Sequence, residues 1–427
     1  MISTCVLRPV IVSRANKSGK SPKLEEILSE AVQLVEALPN VIVKNSSLVR
    51  LRKPCSGMLF GKGNIDIFQK LFVNEKITLV IVDSNLTAIQ QRNLEREWNL
   101  KVLDRTGLIL EIFGSRAMSR EGVLQVELAH LNYQKSRLVR SWTHLERQRG
   151  GMGFLGGPGE TQIESDKRAI NARISQIKKS LDKVVKTRSL HRTARKRIPY
   201  PTIALVGYTN SGKSSVFNRL TGESTLVKNM LFATLDPKMK ALKLPSGEKL
   251  ILSDTVGFIS DLPTLLVAAF KATLEEVTSA DLILHIRDIS INNFEEQGIA
   301  VESVLESLGV EKNSQRIIEV WNKIDKLKSS EIVDISSLSK NNISKRNKVL
   351  ISAKTGTGFE SLLQIIEKFF SNGKKEELIF VPFDKNKSRS WLLANNLVMR
   401  EKIGVKGSEM WVSWTKSQKR KFGSQIG

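Results

Sequence analysis

The chain has 427 residues, 41% of them hydrophobic, with a formal net charge of +24 and a pI near 10.0. That length exceeds one ordinary core and predicts about three or four domains, while so large a positive charge points to a polyanionic partner, nucleic acid or an anionic membrane surface. Only Cys5 and Cys55 occur, without CxxC or His-rich spacing, which argues against structural zinc and for a reducing compartment.

No apolar run reaches the length of about 18 residues that a membrane span needs, and Arg8 and Pro9 interrupt the opening "MISTCVLRPVIVSR" too early for a secretory signal. The chain therefore reads as cytoplasmic, with no membrane span. Its expected class is multidomain α/β.

Residues 1–118 alternate short apolar runs such as "CVLRPVIV" and "ITLVIVD" with the helical stretch "LEEILSEAVQLVEAL", the pattern of a small N-terminal α/β domain. In "LFGKGNIDIF" the third glycine of a dinucleotide fingerprint is missing, so Gly61 and Gly63 read as turn residues.

The period changes over residues 119–198. Leu124, Leu128, Leu131, Leu138, Trp142 and Leu145 form one stripe at three- and four-residue steps, and Ile163, Ile170, Ile174, Ile177, Leu181 and Val184 form a second. Two helices with narrow apolar seams and one joining loop predict an antiparallel hairpin. Residues 121–200 hold 17 Lys and Arg against 7 Asp and Glu, closing on "RTARKR", so the hairpin is strongly basic. Its loop, "GGMGFLGGPGE", has six glycines around Met152, Phe154 and Leu155. Glycine lets a backbone approach a surface that side chains would block, and Phe154 could stack on a base; the alternative is a plain helix connector.

Residues 199–372 alternate strand and helix again and contain the chemistry. In "TIALVGYTNSGKSS" an apolar strand runs into Gly207, Tyr208, Thr209, Asn210, Ser211, Gly212, Lys213 and Ser214, a complete phosphate-loop pattern. Backbone N–H groups of such a loop cradle phosphates, Lys213 reaches β and γ oxygens, and the Ser214 hydroxyl ligates Mg²⁺. "FATLD" (Phe232, Ala233, Thr234, Leu235, Asp236) offers Thr234 as the switch threonine and second Mg²⁺ ligand. "DTVG" (Asp254, Thr255, Val256, Gly257) ends a strand, where Asp254 can hold Mg²⁺ through water and the Gly257 N–H can meet the γ-phosphate.

"NKID" (Asn322, Lys323, Ile324, Asp325) and "SAK" (Ser352, Ala353, Lys354) each follow an apolar strand and decide the base. A carboxylate at Asp325 accepts two hydrogen bonds from the N1–H and 2-amino group of guanine, donors that adenine does not present. Lys323 packs its stem on the purine plane. The expected ligands are GTP and GDP, and the groups expected to take part in hydrolysis are Lys213, Thr234, Gly257 and Asn210.

Two positions qualify that expectation. Phe258 stands where Ras-type enzymes carry the glutamine that orients the attacking water, so slow hydrolysis is expected unless a partner supplies a polar group. Asn210 offers either a K⁺ ligand near the β–γ bridge or a hydrogen bond that stabilises the loop. Residues 373–427 form a small C-terminal unit with 12 Lys and Arg, 5 Asp and Glu, and Trp391, Trp411 and Trp414; it reads as a basic RNA-facing surface or as a small α/β cap.

With these motifs in hand, the chain resembles the HflX family of translational GTPases. Beyond the motifs that GTPases share, "QQRNLEREWNLKVLDRTGLILEIFGSRAMSREGVLQVELAHLNY" and "GPGETQIESDKRAI" are similar to that family's own segments, and the resemblance covers roughly residues 45 to 372. It implies an N-terminal α/β domain, a helical hairpin, a GTPase domain and a small C-terminal domain. It also implies binding to the large ribosomal subunit through rRNA, splitting or rescue of stalled ribosomes, and a glycine loop placed near the peptidyl-transferase centre. A monomer is expected. A partner GTPase in tRNA modification would share Asn210 and Phe258, but those proteins end in a reactive cysteine that this tail lacks. An RNA-binding module with a vestigial GTPase would need a broken phosphate loop, and Lys213, Ser214 and Asp254 are intact.

Overall fold

The computed structural model describes residues 1–11, 22–141, 162–195, 200–223, 231–232, 238–260, 276–311, 314–328, 347–371, 374–394, 397–415, 419 and 422–423. The glycine loop and the positions Ala233, Thr234, Leu235 and Asp236 lie outside these residues.

The N-terminal sheet is parallel and four-stranded, ordered β2-β1-β3-β4, from β1 (Ile2–Ile11), β2 (Val41–Leu51), β3 (Leu79–Val82) and β4 (Lys101–Asp104). All four residues of β3 are buried, as a strand covered on both faces requires. The covering helices are α1 (Pro22–Glu36), α2 (Lys62–Asn74), α3 (Ala88–Trp98) and α4 (Arg105–Arg116). α3 opens on a capping box in which the Thr87 hydroxyl accepts from the Gln90 N–H and the Gln90 amide accepts from the Thr87 N–H. α4 is capped by Asp104, whose carboxylate accepts from the Gly107 N–H at 2.8 Å.

The reading of Gly63 as a turn residue needs correction. Gly61 is the N-cap of α2, and Gly63 lies inside that helix's first turn. Ile65, Phe68 and Phe72 follow at three- and four-residue steps and are buried against the sheet, so tertiary burial overrides the poor helix propensity of one glycine.

α5 (Arg120–Ser141) and α6 (Gln162–Arg195) pair as the expected hairpin, with Ile174 and Ile177 buried and Glu127 bridging to Arg173 at 2.7 Å. Among the described residues of α5 the buried hydrophobic ones are Val126 and Ala129, while Leu124, Leu128 and Leu131 are half-buried. The cause is that α5 serves two neighbours: it packs on α3 and α4 as well as on α6, so a second apolar face takes the deeper position.

The central sheet has six strands, β10-β9-β8-β5-β7-β6, drawn from β5 (Thr202–Gly207), β6 (Lys238–Lys243), β7 (Lys249–Asp254), β8 (Leu282–Asp288), β9 (Ile317–Asn322) and β10 (Lys348–Leu350). Only the edge strand β6 runs antiparallel. α7 (Lys213–Thr221), α8 (Phe294–Ser307) and α9 (Phe359–Ser371) cover its faces. One apolar cluster crosses from the N-terminal sheet into this domain: Ile109 and Phe113 of α4 belong to it, and so do Tyr208, Phe232, Val256 and Phe258. Phe113 meets Phe232 edge-to-face, with ring centroids 4.7 Å apart.

The C-terminal unit is an antiparallel sheet, β11 (Lys374–Pro382), β13 (Gly407–Thr415) and β12 (Val398–Ile403) in that order, with α10 (Asn386–Ala394) against it. Trp391 and Trp414 gather around Phe422 in its core, whereas Trp411 stacks under Arg400. Among the described residues no helix is long and apolar enough to cross a membrane.

Candidate functional site

Motifs that lie far apart in sequence, from Gly207 to Lys354, meet at the carboxyl ends of β5, β7, β8 and β9, where open α/β sheets place their ligands. The loop after β5 turns through Asn210 at φ 58°, a left-handed conformation that Asn tolerates better than most side chains, and through Gly212 at φ 95°. A Cβ on Gly212 would collide with the Asn322 amide, so this position admits glycine alone. Lys213 is buried and donates to the carbonyls of Gly207 at 3.2 Å and Tyr208 at 2.8 Å. Burial pushes its ammonium down to about 8, against the pull of Asp254 and with the repulsion of Lys323. An anionic ligand would restore the charge that burial disfavours. Thr209 Oγ1 and Ser211 Oγ are buried in the same loop and have no hydrogen-bond partner among the described residues.

The Ser214 hydroxyl donates to Asp254 Oδ2 at 2.7 Å, which brings two hard oxygen donors together at the end of β7. Such a donor set fits Mg²⁺ rather than a soft metal. Thr255 points the other way, donating to the Leu205 carbonyl at 2.6 Å and tying β7 to β5. Gly257 lies directly against the phosphate loop: a Cβ there would stand 2.9 Å from Thr209 Cγ2 and 3.1 Å from Lys213 Nζ.

Phe258 does not face the site. It is 3% exposed, a member of the apolar cluster shared with α4. Its backbone pairs with the phosphate loop as an isolated parallel bridge to Tyr208, with Thr209 N–H donating to the Phe258 carbonyl at 2.7 Å and Phe258 N–H to the Gly207 carbonyl at 3.1 Å. The residue that replaces the usual glutamine is thus an anchor of the turn.

At the opposite end, the buried Asn322 holds two loops together: its Nδ2 donates to the Ser211 carbonyl at 2.9 Å and its Oδ1 accepts from the Ala353 N–H at 3.0 Å. Asp325 is exposed and accepts from the Ser352 hydroxyl at 2.6 Å, leaving a carboxylate edge toward solvent. Lys323, at φ 68°, donates to the Asn210 carbonyl at 2.8 Å and pairs with Asp288 at 2.6 Å, so its stem is stretched along the cleft. Ile324 and Lys354 flank these groups on the two loops.

Sequence reasoning missed Asp288 and Arg219. Arg219 of α7 donates to the carbonyls of Ala353 and Lys354, both at 3.2 Å, and of Thr355 at 2.8 Å, holding the loop that carries Ser352. Neither residue belongs to a motif, and their roles arise only once the fold sets them beside one.

Three family models match the chain in order: "GTP-binding GTPase N-terminal" over residues 25–114, "GTP-binding GTPase Middle Region" over 116–195 and "50S ribosome-binding GTPase" over 202–323. The chain is 49% identical to the GTPase HflX of Magnetococcus marinus, in an alignment spanning 81% of this chain and 78% of that protein. It is 42% identical to the GTPase HflX of Escherichia coli, over 78% of this chain and 76% of the relative. Among solved structures, the complex of SsGBP with GDP is similar at TM-score 0.50 and 27% identity, covering 86% of this chain and 98% of that one. The parallel sheet, the phosphate loop and this extent of identity together place the chain in the HflX family of GTPases, with hydrolysis of GTP as its reaction.

Proposed function

We propose that this chain binds the large ribosomal subunit in its GTP state and uses hydrolysis to split or rescue stalled ribosomes, acting as a cytoplasmic monomer. The observation that carries this reading is the burial of Phe258: the turn that ends in Gly257 has an apolar anchor where a water-orienting side chain would stand. A site built in this way hydrolyses slowly until a partner adds a polar group. The basic hairpin, with its excess of Lys and Arg over residues 121–200, supports rRNA as the surface that does so.

In this reading Lys213 binds the β and γ oxygens, the Gly257 N–H meets the γ-phosphate, and Lys323 and Asp325 hold the nucleoside end. Ser214, with Thr234, would hold Mg²⁺, and Asp254 would hold it through water. When bound, Mg²⁺ neutralises charge that builds on the β–γ bridge. K⁺ at Asn210 would add to that neutralisation.

The test is co-sedimentation with large subunits in GDP and in a non-hydrolysable GTP analogue, paired with GTPase assays in KCl and NaCl with and without subunits. Analogue-dependent binding and a subunit-stimulated rate are expected. Fast turnover without subunits, or binding indifferent to the nucleotide, would overturn this reading.

A further inference from the structure

The N-terminal sheet changes strand direction of growth between β1 and β3, and Arg8, Asp83 and Arg105 stand at the carboxyl ends of its strands. Such a switch point ordinarily receives a ligand. Here it receives the GTPase domain. Arg105 is 2% exposed and binds Asp83 Oδ1 through Nη1 at 2.6 Å, while its Nη2 donates to Glu30 Oε1 at 2.9 Å and to the Ser260 carbonyl at 3.0 Å. Glu30 of α1 accepts from the Tyr208 hydroxyl at 2.9 Å, and the Ser260 N–H donates to that same phenol oxygen at 2.9 Å.

These bonds join the two pieces of backbone that matter for the γ-phosphate. Tyr208 is the second residue of the phosphate loop, and Ser260 lies three residues after Gly257. A phenol has one proton, and the Glu30 carboxylate is its stronger acceptor, so the Ser260 hydroxyl is left to donate toward Tyr208 or Glu30, 2.9 Å and 3.4 Å away. Burial, and then the charge of Glu30, raise the Tyr208 phenol well above its ordinary range, which keeps that proton in place.

We propose that Glu30 is a positioning residue for GTP hydrolysis: through Tyr208 and Ser260 it holds the turn containing Gly257 against the phosphate loop, and Arg105 fixes Glu30 for that task. A turn held from outside the GTPase domain does not have to be ordered by the γ-phosphate, so GTP binds without that entropic cost. GDP lacks the γ-phosphate and gains nothing from the clamp. The N-terminal domain thereby contributes to discrimination between GTP and GDP. This rests on the reading of Gly257 as the γ-phosphate contact.

The experiment measures GTP-analogue and GDP affinity and single-turnover hydrolysis in wild type, Glu30→Gln, Tyr208→Phe and the double variant. Arg105 is left intact, because its removal would strand the buried Asp83 charge. We expect GDP affinity within about twofold of wild type in Glu30→Gln, a preference for the GTP analogue reduced on the order of tenfold in each single variant, and a double variant no worse than either. Equal loss of both nucleotides would make Glu30 merely structural, and additive losses would remove Tyr208 from its path; either overturns the proposal. Replacing Gly257 by Ala separates the underlying reading: if that variant kept wild-type preference for the GTP analogue, Gly257 would not be the contact and the clamp would fall with it.

Discussion

At the base end of the cleft, Asn322, Asp325 and Ser352 are tied to one another's loops and steadied by Arg219, with bonds that never leave the GTPase domain. At the phosphate end, Tyr208 and Ser260 are tied to Glu30 and Arg105, and Phe258 is sunk in an apolar cluster that includes α4. In the proposed reading the base end would meet what GTP and GDP share, and the phosphate end what distinguishes them. On that reading, recognition of guanine would be independent of domain arrangement, whereas the response to the γ-phosphate would depend on it. A change at one end should leave the other's signature intact, and the following variants test that separation.

The largest expected effect is on stability, at Phe258. Phe258→Ala removes a ring buried in the shared cluster, a change that typically costs about 3–5 kcal/mol. Denaturant unfolding should show that loss, while Phe258→Leu, which keeps most of the apolar volume, should lose less and retain subunit-stimulated hydrolysis. Loss of hydrolysis in a stably folded Phe258→Leu would give the ring a chemical role that its burial denies.

Next in size is Asp325→Asn. Hydrogen bonds to a charged group contribute about 1.5–3 kcal/mol, so GTP and GDP affinity should fall together by about 10- to 150-fold. Affinity for xanthosine nucleotides should rise, because the amide can donate to the carbonyl that replaces the 2-amino group. Isothermal titration with the four nucleotides reads both changes. A selective loss of GTP over GDP would mean that the two ends are coupled after all.

The two ends also differ in how far they could be read from sequence. The phosphate loop, Asp254 to Gly257, Asn322 to Asp325 and Ser352 to Lys354 are legible because each is a short run whose chemistry is local, and the fold only brings the runs together. The absence of a glutamine at Phe258 is equally legible. What holds Phe258, Tyr208 and Ser260 is not, since Glu30 lies 230 positions from Ser260 and its carboxylate looks like any other on an amphipathic helix. The same limit explains the hairpin: periodicity finds the seam with Ile174 and Ile177, but the burial of Val126 and Ala129 depends on α4, a neighbour that no local period announces. Gly63 shows the converse, a local signal overruled by apolar residues beyond it.

The smallest effect sharpens the comparison most. Arg219 is a surface side chain whose guanidinium reaches three carbonyls of the loop carrying Ser352 and lies over the Phe359 ring, 5.6 Å from its centroid. Net hydrogen bonds of this kind are worth about 0.5–1.5 kcal/mol, and water competes for these carbonyls, so Arg219→Ala should weaken nucleotide binding only about fivefold. Because the loop serves the base, GTP and GDP should weaken equally, and the hydrolysis rate of bound GTP should not change. Arg219→Lys keeps the charge but loses the planar fork that spans several carbonyls, so it should recover part of the loss and not all of it. Binding titrations of both nucleotides with single-turnover rates measure each quantity separately. If Arg219→Ala slowed the chemical step or shifted the ratio of GTP to GDP affinity, the base end would not be the self-contained half of the cleft that its bonds describe.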